Sequence, residues 1–210
     1  MGCDVKPHHE PVEHVKIGKK VCDFTMETYD PKEGAFGSVS LKELNKAGKW
    51  VVLFFYPADF TFVCPTELAD LAEKYATLEQ MGCEVIAVST DTKFSHLAWR
   101  NSEKLLENVK YIMAADPNGA VSRYFGVYDC HTGLDLRGTF IINPEGVLVS
   151  SEINFYNVGR NSDELLRKME ANIYLLDHPA EACPAKWTKG GKTLTPSEKL
   201  VGKVYESLNE

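Results

Sequence analysis

The sequence predicts an α/β fold in which a central mixed sheet is flanked by helices. Short apolar runs rich in β-branched and aromatic residues alternate with stretches of helical periodicity, which is typical of parallel strands joined by crossover helices. Turn residues at 143–146 separate two later apolar runs and predict a β-hairpin, which adds an antiparallel edge. A helix is expected after that hairpin, so we expect helices on both faces of the sheet.

The strongest single element is the unbroken apolar run at residues 51–56, which Pro57 ends. Such a run is typical of a fully buried central strand. A long helix follows, for which Thr61 is a plausible N-cap, Pro65 suits the first turn and Gly82 is the stop signal. One face of this helix carries the apolar residues Leu68, Leu71, Ala72, Tyr75 and Leu78.

The remaining elements follow from the same strand and helix periodicities. Ser40 and Glu43 form a capping box at the start of a short helix that Gly48 ends. The other predicted elements are strands at 21–28, 83–90, 111–115, 127–128, 137–142 and 147–150, and helices at 92–108, up to 124 and at 163–176.

The helix predicted at 92–108 carries two residues that either pack or line a pocket. These are His96 and Trp99, and partial burial is the simpler interpretation of both. The apolar side of the helix is expected to comprise Phe94, Leu97, Ala98 and either Leu105 or Leu106.

The C-terminal residues 178–210 differ in composition from the rest of the chain. Three prolines and a Gly-Gly pair lie close together there, which predicts an extended arm followed by a short helix near 196–208. The predicted domains are therefore 1–177, which holds the sheet, and 178–210, the C-terminal arm.

Cys64 lies where the buried strand gives way to the long helix. Unpaired backbone N–H groups and the positive end of the helix dipole favour a thiolate at such a position. The thiolate is the nucleophilic form of cysteine, and peroxide oxidises it to a sulfenic acid. A hydroxyl such as that of Thr61 could hydrogen-bond the sulfur or a bound oxidant. The alternative is a cysteine that serves only as a small buried apolar residue.

Composition and charge exclude several classes of protein. The chain has 210 residues, of which 44% are hydrophobic and 25% charged, values that are ordinary for a globular protein with a real core. The net charge of −7 argues against a general binder of nucleic acid or anionic membranes. No run approaches about 18 apolar residues, and the first residues lack an apolar signal segment, so we expect no membrane span and a cytoplasmic location.

The six cysteines are dispersed, and no Cys-x-x-Cys pair occurs. We therefore expect reduced thiols with one or two catalytic members, and neither a dithiol oxidoreductase of the thioredoxin type nor a zinc ribbon. We expect Cys22 and Cys83 to pack on strands. Cys130 and His131 beside it could form a reactive pair, but the simpler expectation is that Cys130 lies in a surface loop. No metal or other cofactor is predicted, because the spacing of the N-terminal residues Cys3, His8, His9 and His14 matches no known metal site and favours a loosely docked arm.

Two motifs give the sequence a family resemblance. Pro57, Thr61 and Cys64 form Pro-x-x-x-Thr-x-x-Cys, which resembles the active-site signature of the peroxiredoxins. The segment Cys-Pro-Ala-x-Trp that begins at Cys183 resembles the resolving-cysteine segment of the typical two-cysteine group of that family. Arg137, which precedes Gly-Thr-Phe-Ile-Ile, also matches this group. The likeness extends from about residue 21 to residue 187, and Arg160 in Val-Gly-Arg belongs to it.

The resemblance implies a thioredoxin-like fold with a C-terminal extension, and a role for each matching residue. Cys64 would be the peroxidatic cysteine and Cys183 the resolving cysteine. Thr61 would hydrogen-bond the peroxide and the thiolate, and Pro57 would shield the site from water. Arg137 would polarise the peroxide and stabilise the thiolate by a charge-assisted hydrogen bond.

The same resemblance implies supporting residues, an activity and an assembly. Glu67 and Arg160 would hold Arg137 in place, and Trp99 would lie at the pocket wall. The implied activity is a thiol-dependent peroxidase that reduces hydrogen peroxide and organic hydroperoxides in antioxidant defence. The sulfenic acid on Cys64 would condense with a resolving cysteine from the other subunit of a homodimer, often within a ring of dimers. Thioredoxin or a flavin-dependent disulfide reductase would then reduce the disulfide.

The sequence departs from the oxidation-sensitive peroxiredoxins at two places. Residues 116–119 lack their Gly-Gly-Leu-Gly loop, and residues 204–206 lack their Tyr-Phe pair. With less packing over Cys64, we expect its helix to unwind readily, so that the disulfide forms before the sulfur is overoxidised.

Two other functions stay open at this point. One is a cysteine hydrolase or acyl transferase, which would need a histidine base such as His96, His131 or His178. The other is a non-catalytic binding or assembly protein, such as a holdase, in which Cys64 is only structural.

Overall fold

The structure of the protein is a computed structural model that describes residues 14–209. The chain divides into two compact units, the first ending at Arg160 and the second beginning at Asn161. The domain boundary that we predict after residue 177 stays a prediction. Of the residues considered for an N-terminal metal site, Cys3, His8 and His9 lie outside the described residues.

Among residues 14–209, the first unit contains the strands and four α-helices, and the second contains two α-helices. The strands are β1 (Thr25–Asp30), β2 (Ala35–Ser40), β3 (Trp50–Phe55), β4 (Cys83–Ser89), β5 (Ile112–Ala115), β6 (Tyr128–Asp129), β7 (Leu134–Asp135), β8 (Arg137–Ile142) and β9 (Leu148–Asn154). The helices are α1 (Leu41–Lys46), α2 (Cys64–Gln80), α3 (Lys93–Ser102), α4 (Ala120–Tyr124), α5 (Ser162–Asp177) and α6 (Val204–Asn209), with short 3-10 helices at Lys104–Leu106 and Glu198–Leu200.

A seven-stranded mixed sheet forms the core of the first unit, with the strand order β2-β1-β5-β4-β3-β8-β9. The strands β3, β4 and β5 are parallel, and every other neighbouring pair in this sheet is antiparallel. The strands β6 and β7 form a separate two-stranded ladder. The prediction of an α/β fold with parallel crossovers and an antiparallel edge is therefore confirmed.

The central strand β3 is buried along its whole length, as its uninterrupted apolar sequence predicts. It pairs with β4 on one side and β8 on the other, so no residue of β3 faces an open sheet edge. Its carboxyl end leads through residues 56–63 into α2. In open α/β sheets the carboxyl ends of such strands are the usual place for a site.

The end signals of the helices are confirmed in one case and wrong in another. The hydroxyl of Ser40 accepts a hydrogen bond from the backbone N–H of Glu43 at the start of α1, as predicted. Thr61, however, does not cap α2, because its Oγ1 donates to the carbonyl oxygen of Ala58, 2.8 Å away. The N-cap of α2 is Val63, which offers no side-chain oxygen, so the helix begins at Cys64 itself.

The first predicted strand is wrong at its start. We expected it at 21–28 with Cys22 on it, whereas β1 begins at Thr25 and Cys22 is exposed ahead of it. The cause lies in the preceding residues, which bond elsewhere: Lys20 forms an isolated bridge with Val147, and Val21 donates to the carbonyl oxygen of Gly146. The strand β2, which pairs with β1 as an edge hairpin, was not predicted.

The helix predicted at 92–108 is shorter, and its apolar side differs from the prediction. α3 ends at Ser102 because Glu103 leaves the helical region of backbone dihedral angles (φ −92°, ψ 114°). Phe94 is 62% exposed, whereas His96 and Trp99 are fully buried. The helix therefore packs through its polar and aromatic face, and partial burial was the wrong expectation for both residues. Of the other residues expected on the apolar side, Ala98 is exposed, Leu97 is half-buried and Leu106 is buried.

The second unit contains the predicted long helix and the predicted arm. α5 agrees within one residue at each end with the helix expected at 163–176, and the side chain of Asn161 caps it through the N–H of Asp163. The residues after it are extended, with an isolated bridge between Ala182 and Leu194. No helix within residues 14–209 is both long and apolar enough to cross a bilayer.

Candidate active site

Cys64 is the first residue of α2 and lies just beyond the carboxyl end of β3. Its side chain is completely buried, and Pro57 at the start of the connecting loop is buried as well. Pro65 has no N–H, and the N–H groups of Thr66 and Glu67 donate to the carbonyl oxygen of Val63, so α2 acts on the sulfur through the positive end of its dipole.

Arg137 reaches the same place from the neighbouring strand. It is the first residue of β8, which pairs antiparallel with β3 and brings Thr139 opposite Phe54. Continuing that register places Arg137 beside the carboxyl end of β3, next to the start of α2. Its Nη1 donates to the sulfur of Cys64 at 3.4 Å, and both groups are buried.

Glu67, one turn along α2 from Cys64, links this arginine to a second one. Its Oε2 accepts from Nη1 of Arg137 at 2.5 Å, and its Oε1 accepts from Nε of Arg160 at 2.8 Å. The backbone N–H of Arg160 also donates to Oε1, at 2.9 Å. The carboxylate therefore fixes both guanidinium groups at once, with nearly all its lone pairs used.

Arg160 is held as firmly as Arg137. Its Nη1 donates to the carbonyl oxygen of Gly138 at 2.8 Å and lies 3.1 Å from Oγ1 of Thr139, and its guanidinium carbon lies 3.4 Å from the ring centroid of Phe54. Burial lowers the pKa of Arg160, and the carboxylate of Glu67 opposes this effect. The guanidinium nevertheless stays charged, because arginine remains protonated in proteins.

We call Cys64, Glu67, Arg137 and Arg160 the charge cluster. All four side chains are buried, and they carry two positive charges against the single negative charge of Glu67. A thiolate on Cys64 brings the formal charge of the cluster to zero. A buried charge without a partner is costly, and the sulfur of Cys64 lies where an anion would supply that partner.

Two other predicted site residues lie on or beneath the loop before α2. Thr61 is held by its bond to Ala58. Trp99 is buried below the loop, with its ring centroid 5.8 Å from that of Tyr56 and 6.2 Å from that of Phe60. Phe60 has a left-handed backbone (φ 55°), which is uncommon for a bulky residue and marks a constrained loop.

A buried polar network, which was not predicted from the sequence, anchors this loop. Asp59 accepts from the hydroxyl of Tyr56 at 2.8 Å and pairs with Nδ1 of His96 at 2.9 Å. Its backbone N–H donates to Asp91, whose pKa is raised by burial. Nε2 of His96 lies 3.1 Å from the carbonyl oxygen of Ala114, so both ring nitrogens are engaged. A carboxyl residue in the loop and a histidine on a nearby helix were the available signals, but their pairing is set by tertiary packing.

Cys183 belongs to the second unit and is half-buried. Burial and the carboxylate of Glu181 raise the pKa of its thiol, and the nearby guanidinium of Arg167 opposes them. A groove of about 330 Å³ runs beside it, lined by Arg167, Lys168, Ala171, Asn172, Leu175, Pro184 and Ala185. The structure therefore groups four of the predicted site residues in the charge cluster of the first unit and describes Cys183 in the second.

The remaining described cysteines are also free thiols. Cys83 is buried at the start of β4, and burial raises the pKa of its thiol to about 12, which is typical of an inert packing cysteine. Cys130 is exposed in the loop between β6 and β7, as predicted. Within residues 14–209 no three His, Cys, Asp or Glu side chains are grouped as ligands for a metal ion.

A cysteine held between a helix start and a guanidinium is suited to attack the electrophilic oxygen of a peroxide, so the fold and the site define a thiol-dependent peroxidase. Comparison with known proteins gives the same class. The model of the AhpC/TSA family matches residues 17–151, which is more than half of the chain. The chain belongs to the AhpC/TSA family.

Named relatives cover nearly the whole length of the chain. Alkyl hydroperoxide reductase C of Bacillus subtilis (strain 168) is 49% identical over 188 residues, which are 90% of this chain and 98% of that protein. The protein of the same name from Staphylococcus epidermidis is 46% identical over the same shares.

Solved structures agree with these relatives. The crystal structure of Enterococcus faecalis AhpC superposes with a TM-score of 0.75 and 45% identity, over 80% of this chain and 98% of that one. Reduced 2-Cys peroxiredoxin of Plasmodium vivax gives a TM-score of 0.81 and 32% identity, over 87% and 94%. The predictions of a thioredoxin-like fold, of a peroxiredoxin and of an antioxidant peroxidase activity are thereby confirmed.

Proposed function

We propose that Cys64 is the peroxidatic cysteine of this peroxidase and that Arg137 activates it. The observation that carries this assignment is the 3.4 Å contact between Nη1 of Arg137 and the sulfur of Cys64 inside the charge cluster. A charge-assisted donor on the sulfur favours the thiolate, and a guanidinium has further N–H groups to offer an approaching peroxide.

The other predicted residues take supporting roles in this proposal. Glu67 and Arg160 hold Arg137 through their shared hydrogen bonds. Thr61 offers its hydroxyl to the peroxide, and Pro57 keeps water from the sulfur. Trp99 supports the loop from below through its contacts with the aromatic residues there.

The first chemical step is attack of the Cys64 thiolate on the terminal oxygen of a hydroperoxide, ROOH. An S–O bond forms, the O–O bond breaks, and the leaving oxygen takes a proton to become water or an alcohol. The sulfur is oxidised to a sulfenic acid while the peroxide is reduced. Arg137 matters most here, because negative charge develops on the leaving oxygen in the transition state and the one hydroxyl hydrogen of Thr61 is donated to the carbonyl oxygen of Ala58.

The second step returns the sulfur to use. The thiol of Cys183, supplied by the partner subunit of a homodimer, attacks the sulfenic acid sulfur, a disulfide forms and water leaves. An external dithiol, thioredoxin or a flavin-dependent disulfide reductase, then reduces the disulfide by thiol exchange. The proposed substrates are hydrogen peroxide and organic hydroperoxides. We also propose that the dimers assemble into a ring and that the protein is cytoplasmic.

The geometry does not favour a cysteine hydrolase. Such an enzyme needs a histidine base within hydrogen-bond reach of the thiol. Both ring nitrogens of His96 are hydrogen-bonded, one to Asp59 and the other to the carbonyl oxygen of Ala114. His131 lies in the exposed loop beside Cys130. Among residues 14–209, the hydrogen bond to the sulfur of Cys64 comes from Arg137 and from no histidine.

The assignment is tested by treating the reduced protein with one equivalent of hydrogen peroxide and separating the products by non-reducing gel electrophoresis. The wild type is expected to consume the peroxide and to migrate as a disulfide-linked dimer. Cys64→Ser is expected to lose both properties, whereas Cys183→Ser still consumes one equivalent but forms no linked dimer.

Cys83→Ser is the matched control, because this thiol is buried and packs at the start of β4. It is expected to behave like the wild type. Rapid peroxide consumption by Cys64→Ser would contradict the assignment of the peroxidatic cysteine. A dimer that persists in Cys183→Ser would contradict that of the resolving cysteine. Under turnover, mass spectrometry is expected to find little sulfinic acid on Cys64, as the expected ready unwinding of its helix predicts.

A further inference from the structure

Arg137 has a second anchor besides the carboxylate of Glu67. Its Nε donates to the backbone carbonyl oxygen of Tyr156 at 2.7 Å, and this bond and the one to Glu67 leave from different nitrogens of the guanidinium. The plane of the guanidinium, and with it the direction of Nη1 toward the sulfur of Cys64, is therefore set by two points. One point is a buried side chain on α2, and the other is a carbonyl on the segment after β9.

The segment that supplies this carbonyl has few apolar contacts of its own. It joins β9 to Arg160, and its apolar side chains face outward, since Phe155 is 68% exposed and Val158 is 59% exposed. Tyr156 is half-buried and points back to the molecule. Burial of apolar side chains therefore does not hold the carbonyl in place. The side chain of Tyr156 anchors the segment at this carbonyl, and the backbone N–H of Arg160 anchors its far end on Glu67.

The hydroxyl of Tyr156 is fastened at the tip of the hairpin formed by β6 and β7. It donates to Oδ2 of Asp129 at 2.7 Å and lies 2.8 Å from the hydroxyl of Thr132, which is placed to donate to it. The bond from Tyr156 lowers the pKa of Asp129, so that carboxylate is ionised at neutral pH and the hydrogen bond is charge-assisted. Asp129 is itself fixed, because its Oδ1 accepts from the N–H of His131 at 2.9 Å.

We propose that Tyr156 is a positioning residue for peroxide reduction: its side chain, held by Asp129 and Thr132, fixes the carbonyl that orients Arg137 over Cys64. The inference rests on the proposed function of Cys64 and Arg137. Tyr156 touches neither the sulfur nor the peroxide, and it acts through the arginine. The β6–β7 hairpin thereby becomes part of the apparatus that sets the rate of the first chemical step.

The test is the rate constant for oxidation of Cys64 by hydrogen peroxide, measured by rapid mixing on the full-length reduced protein. Tyr156→Phe keeps the ring and the carbonyl and removes only the two hydroxyl bonds. It is expected to slow oxidation roughly tenfold, because small misplacements of a catalytic group cost large factors in rate. Asp129→Ala is expected to slow it by a similar factor, and Asp129→Asn, which keeps an acceptor oxygen, by less.

Tyr128→Phe is the matched control on the same hairpin. The ring of Tyr128 packs on the guanidinium of Arg123, a contact that phenylalanine preserves, and the oxidation rate is expected to stay at the wild-type value. Far-UV circular dichroism and thermal unfolding show that each variant is folded before its rate is compared.

A double-mutant cycle separates positioning from a general structural role. In an Arg137→Gln background, adding Tyr156→Phe is expected to change the rate less than twofold, because there is no guanidinium left to orient. The inference would be overturned if the rate reductions caused by Arg137→Gln and Tyr156→Phe multiply in the double mutant. It would also be overturned if a folded Tyr156→Phe reacts at the wild-type rate while Cys64→Ser is inactive. A wild type whose Cys64 does not react with peroxide would overturn the proposed function, and the inference with it.

Discussion

The buried carboxyl group of Asp135 is expected to make the protein less stable as the pH rises. Asp135 lies in β7 with its side chain completely buried, and its Oδ2 accepts at 3.0 Å from the hydroxyl of Ser122, which also lies 2.8 Å from Oδ2 of Asp116. A serine hydroxyl has one hydrogen, so it can donate to only one of the two carboxyl groups. Oδ1 of Asp135 has no hydrogen-bond partner among the described residues. Burial, with repulsion from Asp116, raises the pKa of Asp135 to about 8 against the opposing Ser122 bond.

The size of the effect follows from linkage. The pKa of this carboxyl group is 3.8 in the unfolded chain and about 8 in the folded protein, so the folded state binds the extra proton between these two values. The free energy of unfolding therefore falls as pH rises from about 4 to 8, by about 1.4 kcal/mol per pH unit from this group alone. At pH 7 the accumulated loss is at most about 4 kcal/mol.

Asp135→Asn removes this loss, because the amide is neutral at every pH and can donate to the Ser122 hydroxyl. We expect the variant to be more stable than the wild type at pH 7 by a few kcal/mol and to approach it near pH 4.5. Denaturant unfolding at a series of pH values from 4.5 to 8.5, at one fixed protein concentration, measures the difference.

The matched control is Asp129→Asn on the same hairpin. The pKa of Asp129 is lowered, so its contribution to the free energy of unfolding is complete above about pH 4. The difference in stability between Asp129→Asn and the wild type is therefore expected to stay constant between pH 5 and 8. A stability difference for Asp135→Asn that does not grow with pH would refute the argument that Asp135 is held in its protonated form.

Three further predictions concern the site and the core. Glu67→Gln removes the negative charge between two buried guanidinium groups. It is expected to lower the free energy of unfolding, measured with denaturant, by about 3 kcal/mol and to slow oxidation of the Cys64 sulfur, measured by rapid mixing. Wild-type values in both measurements would contradict this prediction. His96→Phe leaves the buried carboxylate of Asp59 without its imidazole, and a melting temperature that does not fall would contradict the role of that pair. Cys83 is expected to resist N-ethylmaleimide at pH 8 in the folded protein, while Cys130 reacts. The labelling is measured by mass spectrometry of the peptides, and equal labelling of the two cysteines would contradict this prediction.

Much of the fold could be predicted because its signals are local. The apolar run of β3 has no polar residue that would let it face water, and the glycine and proline turns delimit its neighbours. The β2 strand was missed because most of its side chains are exposed and Gly37 interrupts its pattern. An edge strand of this kind is fixed by its partner β1 more than by its own sequence.

The site was predictable where a motif fixes residue types, and not where packing alone pairs them. The resemblance supplied Cys64, Glu67, Arg137 and Arg160, and the structure brings these four together. Nothing local in the sequence indicates that His96 pairs with Asp59 or that Tyr156 bonds to Asp129. The first two residues are 37 positions apart in the chain and the second two are 27 apart. Thr61 was misread as a cap because a threonine shortly before a helix fits that pattern, although its hydroxyl bonds within the loop.

Oxidation of Cys64 changes the electrostatics of its own surroundings. A sulfenic acid is neutral, so after the first chemical step the carboxylate of Glu67 alone faces Arg137 and Arg160, and one buried positive charge has lost its counterion. The folded arrangement is then less favourable than it was with the thiolate in place. Under the proposed assignment of Cys64, oxidation would therefore weaken the interactions that hold the first turn of α2, and the sulfur would become accessible to its next partner only after it has been oxidised.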